Sequence, residues 1–379
     1  MKSIGIINPL ETKSHDVFQE SSTIKIEKVP MKVGLLEQDD LEFPATDTTY
    51  DQFVLVEKIA FSCNYRDKTI LLNLSAGLAK NATEVKDRLH FAFFGSEFVG
   101  KIIFKGKNVQ GLEIGDRVIP DGTYQGRLAK GASKGIPSNT TSQFLEIYHE
   151  NDLLKIPSEM SDQVAAGFTI GGQTAFGMIR NTGITKGTDV LITSATSNTS
   201  LFAICFLQQL GANVYAISSS KQYEERLRKM GVKEVFIINR NQLEEKKNQI
   251  EQLSKELLFD VVIDPFADTW MFHMASLMKN EGKYISCGYY NQSSILKNKL
   301  NNQTEPSLLR SFYGNMILKN LQFMGNCLGT RDDLKMALQQ HHVVKDIIDS
   351  HFKAPQSDLF LERTFNAGDR FGKVIMEYT

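Results

Sequence analysis

The sequence predicts an α/β protein in which a β-rich domain is followed by a doubly wound parallel sheet. Two observations lead to this fold class. Up to about Lys155, short runs of β-branched and aromatic residues are separated by turn residues. After Pro157, strand-like and helix-like patterns alternate, which is typical of parallel strands joined by crossover helices. The length of 379 residues fits about two domains.

The β-rich region contains several stretches with the residue types of strands. They are FVLVEKIAFS (53–62), FVGKIIFKGK (98–107), GLEIGDRVIP (111–120) and QFLEIYHENDLLKIP (143–157). Helical spacing is expected here only around Ala76–Arg88. The first domain is therefore assigned to residues 1–157.

Helical spacing begins directly after this region. One helix is expected between residues 158 and 183, with Ser158 or Ser161 as its N-cap and Gly183 at its end. Strands follow at DVLITSA (189–195), NVYAISS (213–219), EVFII (234–238), FDVVIDPF (259–266) and GKYISCG (282–288), with helices at 201–210, 222–230, 242–258 and 270–278. Residues 291–310 are predicted to form a long polar loop. A strand (321–329), a helix (332–339) and further strands complete the chain.

Bulk composition excludes several classes of function. There are 43 basic and 44 acidic residues, so no charge excess favours nucleic acid or an anionic membrane. The four cysteines form no C-x-x-C pair, which argues against a disulfide framework or zinc knuckle and favours a cytoplasmic location. No apolar run approaches the roughly 18–20 residues of a membrane span.

The segment LITSATSNTSLFAI (191–204) has the position of a dinucleotide-binding loop but contains no glycine. Ser194, Ser197 and Ser200 stand three residues apart, and Asn198 and Thr199 complete the loop. Serine is small, and its hydroxyl can bind a phosphate or cap the following helix. The alternative is an ordinary helix N-cap that binds nothing.

The next strand ends without the acidic residue that usually binds the ribose hydroxyls of NAD. Ser218, Ser219, Ser220 and Lys221 offer hydroxyl donors and a cation instead. A 2′-phosphate suits such a group, so the sequence favours NADPH as the cofactor. The alternative is a solvated serine-rich turn.

Four separated segments follow one another in a recognisable order: GSEFVGKIIFKGKNVQGLEIGDRVIP (95–120), LLKIPSEMSDQVAAGFTIGGQTAFGMI (153–179), GKYISCG (282–288) and NAGDRFGKVIMEY (366–378). In these segments the chain resembles the medium-chain dehydrogenase/reductase superfamily. The resemblance implies a GroES-like catalytic domain (1–157 and 330–379) and a Rossmann cofactor-binding domain (158–329). It also implies that Thr174 and Gly288 lie at the cofactor; the alternative for Thr174 is close packing of its helix.

The chain departs from the zinc-dependent members of that superfamily at all three catalytic ligands. Asn64, Ser96 and Ile170 stand where these members have metal ligands, and the four-cysteine structural lobe is missing. Because zinc needs thiolate, imidazole or carboxylate ligands, we expect no metal.

The tetrapeptide NYRD (64–67) resembles the zinc-free branch, which comprises quinone oxidoreductases and enoyl reductases. This resemblance implies NADPH-dependent reduction of a carbon–carbon double bond conjugated to a carbonyl. Asn64, Tyr65 and Ser96 are the candidate catalytic residues: Asn64 to orient the reactants, Tyr65 to donate the proton and Ser96 to line the substrate pocket. Arg66 and Asp67 are expected to form a local ion pair. The alternative for Tyr65 is a packed aromatic residue on a core strand.

A narrower resemblance is to the reductases of lantibiotic biosynthesis, which act on dehydroalanine in a peptide. In that case Ala76–His90 would shape a peptide-sized mouth. The partner is therefore a small molecule or peptide with an activated alkene, and a homodimer is expected. The alternatives are a metal-free alcohol or aldehyde reductase and a nucleotide-binding relative without turnover.

Overall fold

The computed structural model describes residues 2–7, 18–37, 41–84, 91–123, 139–238, 243–268, 270–289 and 306–378. The chain divides into two compact units. The first comprises Met1–Ile170 and Ile348–Thr379, and the second comprises Gly171–Ile347. The C-terminal segment thus returns to the first unit.

The two unit boundaries lie later in the chain than the sequence-based boundaries at 157/158 and 329/330, and specific contacts explain the difference. Residues 158–170 stay with the first unit because Arg117 binds Asp162 and the carbonyl oxygen of Met160. Residues 330–347 stay with the second unit because the Arg180 guanidinium binds both carboxylate oxygens of Asp333.

The first unit is β-rich. Its strands before the boundary are β1 (Lys2–Ile7), β2 (Phe18–Ile26), β3 (Val29–Glu37), β4 (Phe53–Ser62), β5 (Phe91–Ala92), β6 (Glu97–Lys105), β7 (Arg117–Pro120), β8 (Leu145–His149) and β9 (Leu153–Lys155). Its helices there are α1 (Tyr65–Glu84) and α2 (Asp162–Ala166), while α3 (Thr169–Thr182) begins in the first unit and continues into the second.

The second unit alternates strands and helices. Its strands are β10 (Asp189–Ile192), β11 (Asn213–Ser218), β12 (Glu234–Ile237), β13 (Phe259–Ile263), β14 (Met278–Ser286) and β15 (Gln322–Gly325). Its further helices are α4 (Asn198–Leu210), α5 (Glu224–Lys229), α6 (Leu243–Glu256), α7 (Trp270–Met274), α8 (Pro306–Leu318) and α9 (Arg331–Gln339). The first unit resumes with β16 (Ile348–Lys353), α10 (Ser357–Phe365) and β17 (Lys373–Glu377).

Two sheets form the first unit within the described residues. One has the order β2-β3-β1-β5, and the larger has the order β16-β17-β4-β6-β7-β9 with β8 paired to β4. The pairs β4–β6 and β4–β17 are antiparallel, which brings the start of β6 and the C-terminal strand beside the end of β4. Val54, Phe61 and Phe98 are completely buried in the core that these strands enclose.

The second unit contains a parallel sheet in the order β12-β11-β10-β13-β14-β15. After Asp189, the strand β10 near its centre is apolar, because helices cover both faces of such a sheet. Val190, Leu191 and Ile192 are accordingly fully buried. The α/β fold class predicted from the sequence, with a GroES-like unit and a Rossmann unit, is confirmed.

The structure corrects the sequence-based positions of several helices. Helix α1 begins at Tyr65, so Tyr65 does not lie on a core strand, and Ala76–Glu84 is the last part of this helix; residues 85–90 lie outside the described residues. The reason is local: the Asp67 carboxylate accepts a hydrogen bond from the Asn64 N–H and fixes the first turn.

Two further helices are not predicted from the sequence. Of the expected loop at 291–310, residues 291–305 lie outside the described residues, and Pro306 starts helix α8, where its missing N–H is tolerated. Helix α10 in the tail is only nine residues long, and it forms because Phe360 and Leu361 are completely buried. Short helices of this kind depend on tertiary packing more than on periodicity.

The single helix expected between 158 and 183 is divided into α2 and α3. Ser161 is the N-cap of α2, and it is one of the two residues expected to cap the helix. Gly167 interrupts the helix where the Lys373 side chain passes, since a Cβ atom at Gly167 would lie 2.5 Å from Lys373 Cγ. Among the described residues, none of the helices has the length and apolar character required to cross a bilayer.

Two glycines of the second unit should respond in opposite ways to alanine. Gly314 lies inside α8, and a Cβ atom added there would meet no other atom within 4 Å, so Gly314→Ala should raise the free energy of unfolding by about 0.5–1 kcal/mol. At Gly329 an added Cβ would lie 2.3 Å from the Gln173 carbonyl oxygen, so Gly329→Ala should lower the free energy of unfolding by about 1–3 kcal/mol. Urea unfolding measures both, and equal effects would contradict this packing.

Candidate functional site

The first unit contains a buried polar cluster at the end of β4. Its members are Ser62, Asn64, Asp67, Ser96, Glu97 and Lys373. The antiparallel pairing places Ser62 opposite Glu97 on β6 and opposite Ile375 on β17, two residues beyond Lys373. Gly95 makes the turn into β6 with a φ of 90°, a conformation that favours glycine.

Asn64 is the centre of this cluster. Its side-chain Nδ2 donates to Ser96 Oγ at 3.0 Å and to Glu97 Oε1 at 2.8 Å. Its Oδ1 accepts from Lys373 Nζ at 2.8 Å. Both polar atoms of the half-buried Asn64 carboxamide are therefore bonded to neighbouring side chains.

Glu97 and Lys373 form an ion pair in which both residues are at least 99% buried, with Nζ and Oε1 2.5 Å apart. Glu97 Oε2 accepts a further hydrogen bond from the Ile170 N–H at 2.8 Å. Lys373 Nζ also donates to the Cys63 carbonyl oxygen. The pair thus has the additional hydrogen bonds that a buried ion pair requires.

Ser96 and Asp67 complete the cluster. Ser96 is completely buried, and its hydroxyl donates to Asp67 Oδ2 at 2.6 Å. Burial raises the pKa of Asp67 above its usual range, while the Arg66 charge and the hydrogen bonds from Asn64 N–H and Ser96 favour its ionised form. The expected ion pair with Arg66 is present only at 4.0 Å, so Asp67 chiefly fixes Ser96 and the start of α1.

Sequence reasoning found Asn64 and Ser96 but missed Glu97 and Lys373. A glutamate directly after Ser96 and a lysine in the closing GKVIM segment were visible in the sequence. Nothing in the sequence, however, indicates that residues 276 positions apart form a pair, because this pairing depends on β17 returning beside β4.

The residues present do not fit the zinc ion of the zinc-dependent members. Asn64, Ser96 and Ile170 provide an amide, a hydroxyl and an aliphatic side chain in place of the thiolate, imidazole or carboxylate that zinc prefers. The pKa of the nearby Cys63 thiol is raised well above its usual range, mainly by burial and secondly by the negative charge of Asp67. No group of three His, Cys, Asp or Glu side chains suited to a metal ion occurs within the described ranges.

Tyr65 is the first residue of α1 and is half-buried. It follows Asn64 directly, so the helix start places it beside the cluster. The Lys68 ammonium lies 5.8 Å from the centre of its ring.

The second unit contains the loop without glycine, between β10 and α4. Ser194 has a φ of 48°, the left-handed conformation that glycine adopts more easily. Ser197 is the N-cap of α4, and its hydroxyl lies within hydrogen-bond distance of both the N–H and the hydroxyl of Ser200. Ser200 Oγ in turn donates to the Thr193 carbonyl oxygen at 2.9 Å. The hydroxyls of Ser197 and Ser200 are therefore used inside the loop.

Asn198, the first residue of α4, differs from these serines. It is 91% buried, and neither Nδ2 nor Oδ1 has a hydrogen-bond partner among the described residues. Gly171 leaves room for it, since a Cβ there would lie 2.6 Å from Asn198 Nδ2. Buried polar atoms without protein partners are rare, and a bound ligand is one of the groups that can satisfy them.

Ser218 ends β11, and its hydroxyl donates to the Ser220 carbonyl oxygen. Ser219 and Lys221 are exposed next to it, so both side chains are accessible to an anion. The other predicted cofactor residues also lie in this unit: Thr174 is buried in α3, Thr199 is half-buried in the first turn of α4, and the Gly288 carbonyl accepts from Ser286 Oγ just after β14.

A further hydrogen-bond network in the second unit has no signal in the sequence. Asp264, which follows β13, is completely buried and accepts from Thr193 Oγ1 at 2.6 Å and from Tyr284 OH at 2.8 Å. The network fixes the carboxyl ends of β10, β13 and β14, where ligands bind in open parallel sheets.

A GroES-like unit combined with a Rossmann unit defines the two-domain fold of alcohol dehydrogenase-like proteins. Residues 199–341 match the family described as zinc-binding dehydrogenase. The chain is similar to oxidoreductases of the medium-chain dehydrogenase/reductase superfamily, and the family match covers the second unit. The matched residues lie within the second unit and do not include Asn64, Ser96 or Ile170.

Similar proteins include enzymes with different reactions. The acryloyl-coenzyme A reductase of Sulfurisphaera tokodaii is 28% identical over 269 residues, which cover 67% of this chain and 74% of that protein. An NAD-dependent alcohol dehydrogenase has a TM-score of 0.72 at 18% identity, with complete coverage of both chains. A 2-octenoyl-CoA carboxylase reductase, solved with NADP and 2-octenoyl-CoA, has a TM-score of 0.72 at 18% identity over 99% of this chain and 88% of that one. At these identities the solved structures show the fold.

Replacing Lys373 with Met should lower the free energy of unfolding by about 3–5 kcal/mol, because Glu97 would then be buried without its cation. The double variant Lys373→Met with Glu97→Gln should recover part of this loss. Urea unfolding of the three proteins is the measurement. A double variant that is no more stable than Lys373→Met would contradict the ion-pair explanation.

Proposed function

We propose that this protein is an NADPH-dependent reductase of carbon–carbon double bonds conjugated to a carbonyl group. The observation that carries this proposal is the Asn64 cluster. The groups at the positions of metal ligands are an amide and a hydroxyl bonded to each other and an aliphatic side chain. Reduction of an activated alkene needs a hydride and a proton but does not need a Lewis acid. Alcohol oxidation by the zinc-dependent members, in contrast, uses the metal to acidify the hydroxyl.

Residues of the second unit favour NADPH as the cofactor. The Asn198 carboxamide offers a donor and an acceptor at the N-terminus of α4, where the backbone N–H groups and the helix dipole favour a phosphate. The exposed Ser219 and Lys221, with no acidic residue at the end of β11, favour the 2′-phosphate of NADPH over the free ribose of NADH. NADPH would supply the hydride.

The first unit would act on the substrate. Asn64 is held by Ser96, Glu97 and Lys373, which leaves the second lone pair of its Oδ1 to orient a substrate or the nicotinamide. Tyr65 is the proposed proton donor to the α-carbon. Ser96 is completely buried and would act by holding Asn64 in place.

The similarity to acryloyl-coenzyme A reductase favours a small α,β-unsaturated thioester, enone or quinone as the substrate. Dehydroalanine in a peptide contains the same conjugated unit, and its reduction by this protein remains a prediction. The homodimer is also still a prediction. The similarity in fold to an alcohol dehydrogenase favours a second candidate, a metal-free alcohol or aldehyde reductase.

An NADPH-oxidation screen separates these candidates. The purified protein should consume NADPH with an acryloyl thioester, an enone or a dehydroalanine peptide, and it should do so equally after treatment with a chelator. The metal content is measured in the same sample. Turnover on aldehydes alone would support the second candidate. Binding without turnover on the whole panel, or activity that depends on stoichiometric zinc, would contradict the proposal.

Asn198→Ala should weaken cofactor binding without lowering the stability of the free protein. Removing two unsatisfied buried polar atoms should leave the melting temperature of the free protein unchanged or higher. The Kd for NADPH should rise about fivefold, as expected for a lost hydrogen bond of about 1 kcal/mol.

The matched control for this variant is Asn213→Ala. Asn213 Nδ2 already donates to the Gly187 carbonyl oxygen and to Asp189 Oδ1, so its removal should lower the melting temperature without changing the Kd. Titration calorimetry and thermal unfolding give the two quantities. An Asn198→Ala protein that is destabilised but binds NADPH normally would show that Asn198 has a structural role only.

A further inference from the structure

The first turn of α1 contains a second buried lysine, Lys68, to which the proposed function gives no role. Its side chain is only 10% exposed although it carries an ammonium group. A buried charge requires a partner, and the structure provides two contacts, one with a carboxylate and one with an aromatic ring.

The carboxylate belongs to Glu27, whose Oε1 accepts a hydrogen bond from Lys68 Nζ. Glu27 and Lys28 form the turn between β2 and β3, and their φ values of 49° and 69° are both left-handed. Positive φ at both central residues is usual for a two-residue hairpin turn, because this geometry matches the twist of the strands. The hairpin places Glu27 within hydrogen-bond distance of Lys68 on α1.

The aromatic ring belongs to Tyr65. Tyr65 and Lys68 are three residues apart on α1 and therefore lie on the same face of the helix. The distance of 5.8 Å from Lys68 Nζ to the centre of the ring is within the range of cation–π contacts, which is about 6 Å. Glu27, Lys68 and Tyr65 therefore form a connected series in which the ammonium group contacts the Glu27 carboxylate and the face of the Tyr65 ring.

We propose that Lys68, held by Glu27, is the positioning residue for Tyr65 as proton donor; this inference rests on the proposed function. NADPH would supply the hydride for the β-carbon; the role of Tyr65 is to give its proton to the α-carbon, so that its O–H bond breaks as the new C–H bond forms. The electron pair of the O–H bond stays on the phenolate, and the electron pair of the enolate forms the new bond. The ammonium of Lys68 stabilises the phenolate until water returns the proton.

Activity in a double-mutant cycle tests this role. Tyr65→Phe should lower kcat roughly a hundredfold, a typical contribution of a general acid, and Lys68→Met about tenfold, both with little change in KM. Because Lys68 acts through Tyr65, adding Lys68→Met to Tyr65→Phe should cause no further loss. Lys68→Arg should keep most of the activity, and Glu27→Gln should cause a smaller loss than Lys68→Met.

Lys58→Met is the matched control. Lys58 is also a buried lysine, paired with Glu146 at 2.9 Å and located 4.6 Å from the ring centre of Phe98, but its contacts are in the β4–β8 core. Its removal should lower the melting temperature without a specific loss of kcat. A loss of kcat equal to that of Lys68→Met would show that any buried lysine has the same effect and would overturn the inference.

A second readout does not depend on turnover. The losses in melting temperature caused by Lys68→Met and Tyr65→Leu should be less than additive in the double variant, since each removes the same contact. Additive losses in melting temperature would overturn the inference, and so would equal effects of Lys68→Met on kcat in the wild-type and Tyr65→Phe backgrounds. The proposed function would still stand in either case if the wild type reduces alkenes. A wild type without any turnover on alkenes would overturn both.

Discussion

The ion pair between Glu97 and Lys373 is the constraint on which the first unit depends. It connects the start of β6 with the last strand of the chain, and both residues are almost completely buried. Because a buried charge is tolerated only with its partner and further hydrogen bonds, the pair fixes Asn64, the Cys63 carbonyl and the Ile170 N–H around it. The positions of the candidate catalytic residues follow from this arrangement.

In the second unit, the loop between β10 and α4 has to form its turn without glycine. Ser194 accepts a left-handed conformation, and Ser197 and Ser200 satisfy each other and the Thr193 carbonyl. Ser194 therefore takes a backbone conformation that glycine adopts more easily, and the hydroxyls of Ser197 and Ser200 are hydrogen-bonded within the loop. Asn198 remains as the polar side chain without a partner among the described residues, which is why the proposal for cofactor binding depends on it more than on the serines.

The sequence predicted the alternation of strands and helices in the second unit well, because buried parallel strands are continuous apolar runs that are easy to find. It failed where helices form by packing. Helix α10 depends on the burial of Phe360 and Leu361, which follows from the packing of the returning C-terminal segment. The start of α1 was missed because its signal is a single carboxylate, Asp67, that bonds back to the Asn64 N–H.

The sequence by itself determined the identity of the groups: an amide at Asn64, a hydroxyl at Ser96, and serines in a loop without glycine. These facts are local and need no coordinates. Only the tertiary structure decided which groups bond to each other, such as Lys373 with Asn64 or Glu27 with Lys68. The physical reason is that hydrogen bonds and ion pairs depend on distance in space, and strand pairing and helix packing bring together residues that are far apart in the chain.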